Sequence, residues 1–209
     1  DGNPFFAEQI LRYLSEQNAL ALDASGKYFA NEQAQTSLPM DVRAVLVARL
    51  DQLTRHVRET VQTASALGRQ FEVRVLAEML KDDRDFEQCV NQAEKANIWA
   101  PLTEIEYIFK HALLRDAAYS MQLIVRQREL HGLAVSAMEA VYKDDLEPHY
   151  GELAYHAEKA DLQEKALHYL TLAGKLSLSV YRNHQAIDYF TRALTLVPED
   201  DMRARFDIL

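Results

Sequence analysis

The sequence predicts a mainly α-helical protein in which a helical domain with a small β wing precedes a stack of antiparallel helix pairs. Three observations carry that prediction. Only 6 Gly and 5 Pro occur in 209 residues while Ala, Leu, Glu and Gln recur, which disfavours a barrel or sandwich with many tight turns. One pair of short extended runs, residues 98–101 and 105–109, interrupts an otherwise helical pattern. Small residues recur at fixed spacing toward the C-terminal end, the mark of closely packed helices. A composition of 48% apolar and 26% charged residues excludes disorder, and a single cysteine, Cys89, excludes a disulfide framework.

Each element has a local cause. Pro4 suits the first turn of a helix, where its missing N–H costs nothing, and Phe5, Phe6, Ile10, Leu11 and Leu14 then share one face of a helix ending near Asn18. Residues 19–30 alternate around Ser25-Gly26 as a short hairpin, and the polar run NEQAQTS follows as a linker. Asp41 caps a helix that places Val42, Val45, Leu46, Arg49, Leu50 and Leu53 in 3.6 period. Thr54 caps the next, closed by Gly68. Short helices fit residues 72–80 and 84–97. The two extended runs then form a wing, and His111 opens a helix to about Leu123. Three helices, a fourth, a wing and a closing helix describe a winged-helix domain over residues 38–125.

Residues 126–209 read as an incomplete solenoid of tetratricopeptide-like helix pairs. Ala186, Phe190, Ala193 and Pro198 have the spacing of the second helix of such a repeat, and Gly174 takes the small position of the first. Segment 166–173, ALHYLTLA, resembles 186–193, AIDYFTRA, so successive helices present similar faces. Helices are expected over residues 151–160 and 163–178, and the apolar residues of Met202–Leu209 imply a further pair, because each repeat needs a neighbour to cover its edge. The opening without an initiator Met and the ending inside an amphipathic pattern predict a piece of something longer.

Charge narrows the function. The net charge of −9 is spread evenly, with 13 basic and 18 acidic residues before position 126 and 10 and 14 after it. The helix before the wing carries Asp82, Asp83, Asp85, Glu87 and Glu94 against Arg84 and Lys95, and would repel phosphate backbone. DNA is therefore not an expected partner. The absence of a leader and of any apolar run of 18 or more residues predicts a cytoplasmic chain that does not engage the membrane.

Chemistry-bearing patterns are sparse. No G-x-x-x-x-G-K-[ST] phosphate loop, G-x-S-x-G, H-E-x-x-H or C-x-x-C occurs, so neither autonomous nucleotide hydrolysis nor any other catalysis is expected of the chain. His149, Glu152 and His156 stand at i, i+3 and i+7 and could present three ligands along one stripe, but an exposed polar stripe is the better reading and no metal is expected. Cys89 reads as a small core or boundary residue, and Trp99 as a plug for the domain core. The aromatic series through Tyr119, Tyr142, Tyr150, Tyr155, Tyr169, Tyr181, Tyr189 and Phe190 reads mostly as packing. A strand ending at Lys110 delivers His111 to a helix N-terminus, where unpaired N–H groups favour an anion. An imidazole N–H there could donate to a phosphate oxygen, with Lys110 adding charge.

The string GNPFF, then LP-x-D-V-R-x-V-L-x-A-R-L-D-x-L, E-x-x-Y-I-F-K-H-A-L-L-R-D-A-A-Y, ELAYHAEKA and A-x-x-Y-F-x-x-A-L, resembles the back half of the signal-transduction ATPases called STAND proteins. In particular it is similar to the bacterial kind in which the ATPase and a tetratricopeptide array follow an adenylate/guanylate cyclase domain. The resemblance spans nearly the whole chain. It implies that residues 1–37 end an ATPase helical lid, with Gly2 and Pro4 at a Gly-x-Pro motif whose proline packs on adenine. It implies that His111 contacts the β-phosphate of ADP, and that Ala112 replaces an aspartate of the family motif. ADP or ATP with Mg would bind the intact protein and none the isolated chain. The implied partners are an upstream ATPase domain in the same chain and a protein or small-ligand signal on the repeats. The output would be a linked cyclase. The alternatives are the same module in an ATP-dependent transcription regulator, or a repeat scaffold without nucleotide control.

Overall fold

The computed structural model describes residues 42–208, together with Leu11 and two short strands, β1 (Leu20–Leu22) and β2 (Tyr28–Ala30). The strands pair antiparallel with Leu20 opposite Ala30, as the hairpin expected over residues 19–30 requires. Gly2, Pro4 and, apart from Leu11, the helix expected from Pro4 to Asn18 lie outside the described residues.

The described chain is mainly helical. Helices α1 (Val42–Asp51) and α2 (Arg55–Leu67) lead into strand β3 (Gln70–Glu72), helices α3 (Val73–Met79) and α4 (Phe86–Lys95), strands β4 (Trp99–Pro101) and β5 (Glu106–Phe109), and helix α5 (Ala112–Ser120). Strand β5 is central in a three-stranded antiparallel sheet of order β3-β5-β4, pairing Phe71 with Tyr107 and Trp99 with Phe109. The sequence reading expects only β4 and β5. Strand β3 escapes it because three residues between Gly68 and a helix are too few to establish a period, and their extended state comes from the β5 edge they pair with. Thr54 does stand at the N-cap of α2, but its side chain makes no capping bond. Its backbone carbonyl accepts from the Arg58 N–H at 2.9 Å instead.

Large aromatic residues fill this first core. Trp99 is fully buried, with Phe71 and Phe109 edge-on at 5.4 and 5.7 Å, and its indole N–H donates to the Val90 carbonyl at 3.2 Å. Burial of a large ring is affordable here because its one polar atom is satisfied. Cys89 on α4 is buried in the same core, as expected of a small core residue. Arg49 is also buried, donating to the Ala96 and Asn97 carbonyls at 2.6 and 3.2 Å, where the end of α4 presents free acceptors.

From Ile124 onward the described chain is helix and turn alone. Helix α6 (Ile124–Val141) is followed by a 3₁₀ turn (Glu147–His149) and by α7 (Tyr150–Lys159), α8 (Gln163–Ser179), α9 (Asn183–Thr195) and α10 (Met202–Ile208). Small residues line the seams. Ala154, Ala157, Ala166, Ala186 and Ala193 are buried, and a Cβ on Gly174 would stand 2.5 Å from the Phe190 ring. The turns after α7 and α8 are built alike. Asp161 (φ 61°) and Tyr181 (φ 59°) adopt the left-handed conformation, and the next N–H, of Leu162 or Arg182, returns to the carbonyl of Ala157 or Ser177. The two turns stand 20 residues apart, the same offset that relates segments 166–173 and 186–193.

Polar pairs tie the helices across these seams. Lys165 on α8 donates to Glu139 on α6 at 2.6 and 2.8 Å, Tyr169 donates to the same carboxylate at 2.7 Å, and Arg192 on α9 pairs with Glu158 on α7. Helix α6 packs on α2 and α3 on one side and on α7 on the other, so one apolar cluster runs from Leu46 to Val197. Among the described residues no helix is long and apolar enough to cross a membrane.

Candidate functional site

Strand β5 ends where the sequence places it, and the chain passes through Lys110 and His111 into α5. His111 is the N-cap residue of that helix, half-buried, with extended backbone (φ −135°, ψ 131°). Its carbonyl accepts the Leu114 N–H at 3.0 Å, and its imidazole makes no capping bond to the helix. Lys110 is exposed, and its ammonium donates to the Asn97 side chain at 2.5 Å, while its backbone N–H holds the Ile98 carbonyl. The cation is thus anchored to the turn after α4. Arg115, one turn into α5, pairs with Asp116 at 3.1 Å and donates Nε to the Ser65 carbonyl at 2.7 Å. Of the four sequence-predicted binding residues, the structure therefore brings His111 and Lys110 to one strand-to-helix junction, and Gly2 and Pro4 fall outside the described residues.

A second polar cluster lies at the other end of α5. Tyr119 Oη is 2.9 Å from His131 Nε2 on α6, and His131 Nδ1 is 2.7 Å from His156 Nδ1 on α7. Both imidazoles are 1% exposed. Burial holds both below the ordinary histidine range, with Lys159 and Arg115 adding to the effect at His131 and His131 itself at His156. The pKa values fall to about 4 for His131 and about 3 for His156. Both rings are neutral at pH 7.

This corrects the reading of His149, Glu152 and His156 as one exposed stripe. Leu153, Ala154, His156 and Ala157 are all buried, so His156 faces inward. His149 stacks parallel on Tyr142 at 3.6 Å between centroids and lies 3.8 Å from Glu152. Among the described residues no group of three or more His, Cys, Asp or Glu could hold a metal ion. Sequence reasoning missed His131, although it shares the helical phase of the apolar Ala134, Val135 and Met138. A histidine at a core phase must find a partner, and that is the signal that could have located the pair.

A cavity of about 280 Å³ opens between the sheet and α6, with Phe71 and Met138 on its apolar side and Glu72, Glu106, Tyr142, His149 and Glu152 on its polar side. Its polar groups engage one another. Glu72 accepts from Arg74 at 2.6 Å, and Gln70 donates to Glu106 at 3.1 Å. Burial and the Glu72 charge push the Tyr142 phenol well above its usual range, and desolvation raises Glu152 against the opposing effect of His149. Cys89 is raised by burial too, which makes its thiol a poor nucleophile.

No family model matches the chain, and no solved structure matches it. An uncharacterized protein of Rhizobium meliloti (strain 1021) is 28% identical in an alignment covering 93% of this chain and 19% of that protein. The chain thus spans about a fifth of the length of the curated relative it matches.

Proposed function

We propose that the chain is the regulatory and sensor portion of a nucleotide-switched signalling ATPase, in which residues 38–125 are a winged helix closing over ADP and residues 126–209 are tetratricopeptide-like repeats that receive a protein or small-ligand signal. The observation that carries this reading is the junction of β5 and α5. It sets His111 at a helix N-terminus with Lys110 beside it, the place where backbone N–H groups and the helix dipole favour a phosphate. The resemblance to STAND proteins supplies the identity of that phosphate as the β-phosphate of ADP and places Gly2 and Pro4 against the same nucleotide. The close seam of Gly174 on Phe190 and the recurring turns 20 residues apart support the repeat reading.

In the whole protein the bound ADP would hold an off state, and exchange for ATP with Mg would release the clamp and alter a linked output, a cyclic-nucleotide synthase in a cytoplasmic protein. A ligand moves such a switch only by binding its two states with different affinity. His111→Ala in the intact protein is expected to weaken ADP retention at least tenfold and raise basal output. Unchanged ADP affinity in that variant overturns the assignment.

A further inference from the structure

The contact between His131 and His156 has a property that an ordinary side-chain pair lacks. Two ring nitrogens 2.7 Å apart in a dry site need one proton between them, so one ring carries its proton on Nδ1 and the other, bare at Nδ1, carries it on Nε2. Tyr119 at the far ring nitrogen of His131 extends the constraint to α5. Two arrangements pair Tyr119 Oη, both ring nitrogens of His131 and His156 Nδ1. In one, Tyr119 donates to His131 Nε2 and His131 Nδ1–H donates to His156 Nδ1, leaving His156 as the Nε2–H form. In the other, every donor and acceptor is reversed.

We propose that Tyr119, His131 and His156 form a two-state relay that couples the α5 helix through α6 to α7, with Tyr119 donating in the resting state. Burial pushes the Tyr119 phenol up, and the guanidinium of Arg115, its carbon 5.0 Å from the centre of the ring, opposes that and favours O–H donation. Reversal conserves protons. As the buried site opens to water, Tyr119 gives its proton to His131 Nε2 and takes one from water, His131 passes its Nδ1 proton to His156, and His156 releases its Nε2 proton to water. Because His111 begins α5 and Tyr119 nearly ends it, a shift of that helix by nucleotide would be felt at α7 through the relay. That use in signalling rests on the nucleotide reading, whereas the relay itself does not.

Nitrogen NMR of the 209-residue chain labelled at histidine tests it at pH 7. The expected result is two neutral rings of opposite tautomer, His131 protonated at Nδ1 and His156 at Nε2. Tyr119→Phe, with its fold checked by circular dichroism, is expected to change the tautomer at His156, which Tyr119 does not touch. A charged ring, two rings of the same tautomer, or an unchanged His156 in the folded variant overturns the proposal. If Tyr119→Phe does not fold, acid titration of the native chain decides. The groups facing the rings are Arg115 and Tyr119 from α5 and Tyr155 and Lys159 from α7. The relay requires both rings to stay neutral until the pH falls well below 6, and independent titration of either near 6.5 refutes it. ADP retention in the His111→Ala variant is a separate measurement, so failure of one reading leaves the other standing.

Discussion

The two halves of the described chain reach the same burial by opposite means. Between Val42 and Ser120 a few large rings do the filling, with Trp99 and Phe109 wholly buried around a three-stranded sheet. Between Ile124 and Ile208 there is no strand, and the seams are lined by Ala and Gly so that backbones can approach. The first region is held by what its side chains occupy, the second by what they leave out. Deletion of atoms should therefore hurt the first, and addition of atoms the second.

Trp99→Ala gives the largest expected effect, a loss of about 3–5 kcal/mol read from the denaturant midpoint, since it empties the centre of the aromatic cluster. A loss under 1 kcal/mol would mean that the sheet region repacks as readily as a helix pair.

Acid should strike the joint between the regions. His131 and His156 have folded pKa values of about 4 and 3, below the unfolded value near 6.5, so the unfolded chain binds protons first as the pH falls. Their contribution is intact above pH 6.5 and is lost progressively toward pH 4 and 3, with about 2 kcal/mol gone between pH 7 and 5.5. Chemical denaturation at the two pH values measures the slope. The double variant His131→Leu/His156→Leu should flatten it, and an equal slope in that variant would assign the acid sensitivity elsewhere.

Smaller still is the effect of a single methyl in the helical region. Gly174→Ala gains about 1 kcal/mol of helix propensity but drives a Cβ to 2.5 Å from the buried Phe190 ring, so a net loss of about 1 kcal/mol is expected, recovered by Phe190→Leu. Gly151→Ala makes the contrast. Its Cβ also meets an atom at 2.5 Å, but that atom is the hydroxyl of half-buried Tyr189, which can swing aside. Thermal unfolding should move by no more than about 0.5 kcal/mol. Equal losses at both glycines would show that the helices are held apart by backbone and not by the Phe190 ring.

What could be read from the sequence follows the same division. Periodicity located α1 to α5 and α7 to α9 to within a few residues because each has an apolar stripe of its own. The small position at Gly174 announces a close helix approach, since a glycine inside a helix is costly unless something presses on it, and the structure supplies Phe190 as the residue that does. Strand β3 and the His131–His156 pair were not legible. Both depend on a partner distant in sequence: Ile108 of β5, which stands opposite Gln70 in the sheet, and His156, 25 residues from His131. The junction at Lys110 and His111 was visible because strand and helix are adjacent there, although the anchoring of Lys110 on Asn97 was not.

Helix α6 has one more consequence. Its inward side chains, Leu130, Ala134, Val135 and Met138, belong to a cluster that includes residues of both regions, and nothing in that cluster marks where one ends. The described residues therefore offer no seam at which they could be divided and the two halves exchanged between relatives as independent cassettes. A cut before Ile124 would strip α2 and α3 of their cover, and a cut after Val141 would leave α7 to find a new one. Any exchange has to carry α6 with both of its neighbours, or replace a surface on each side to match.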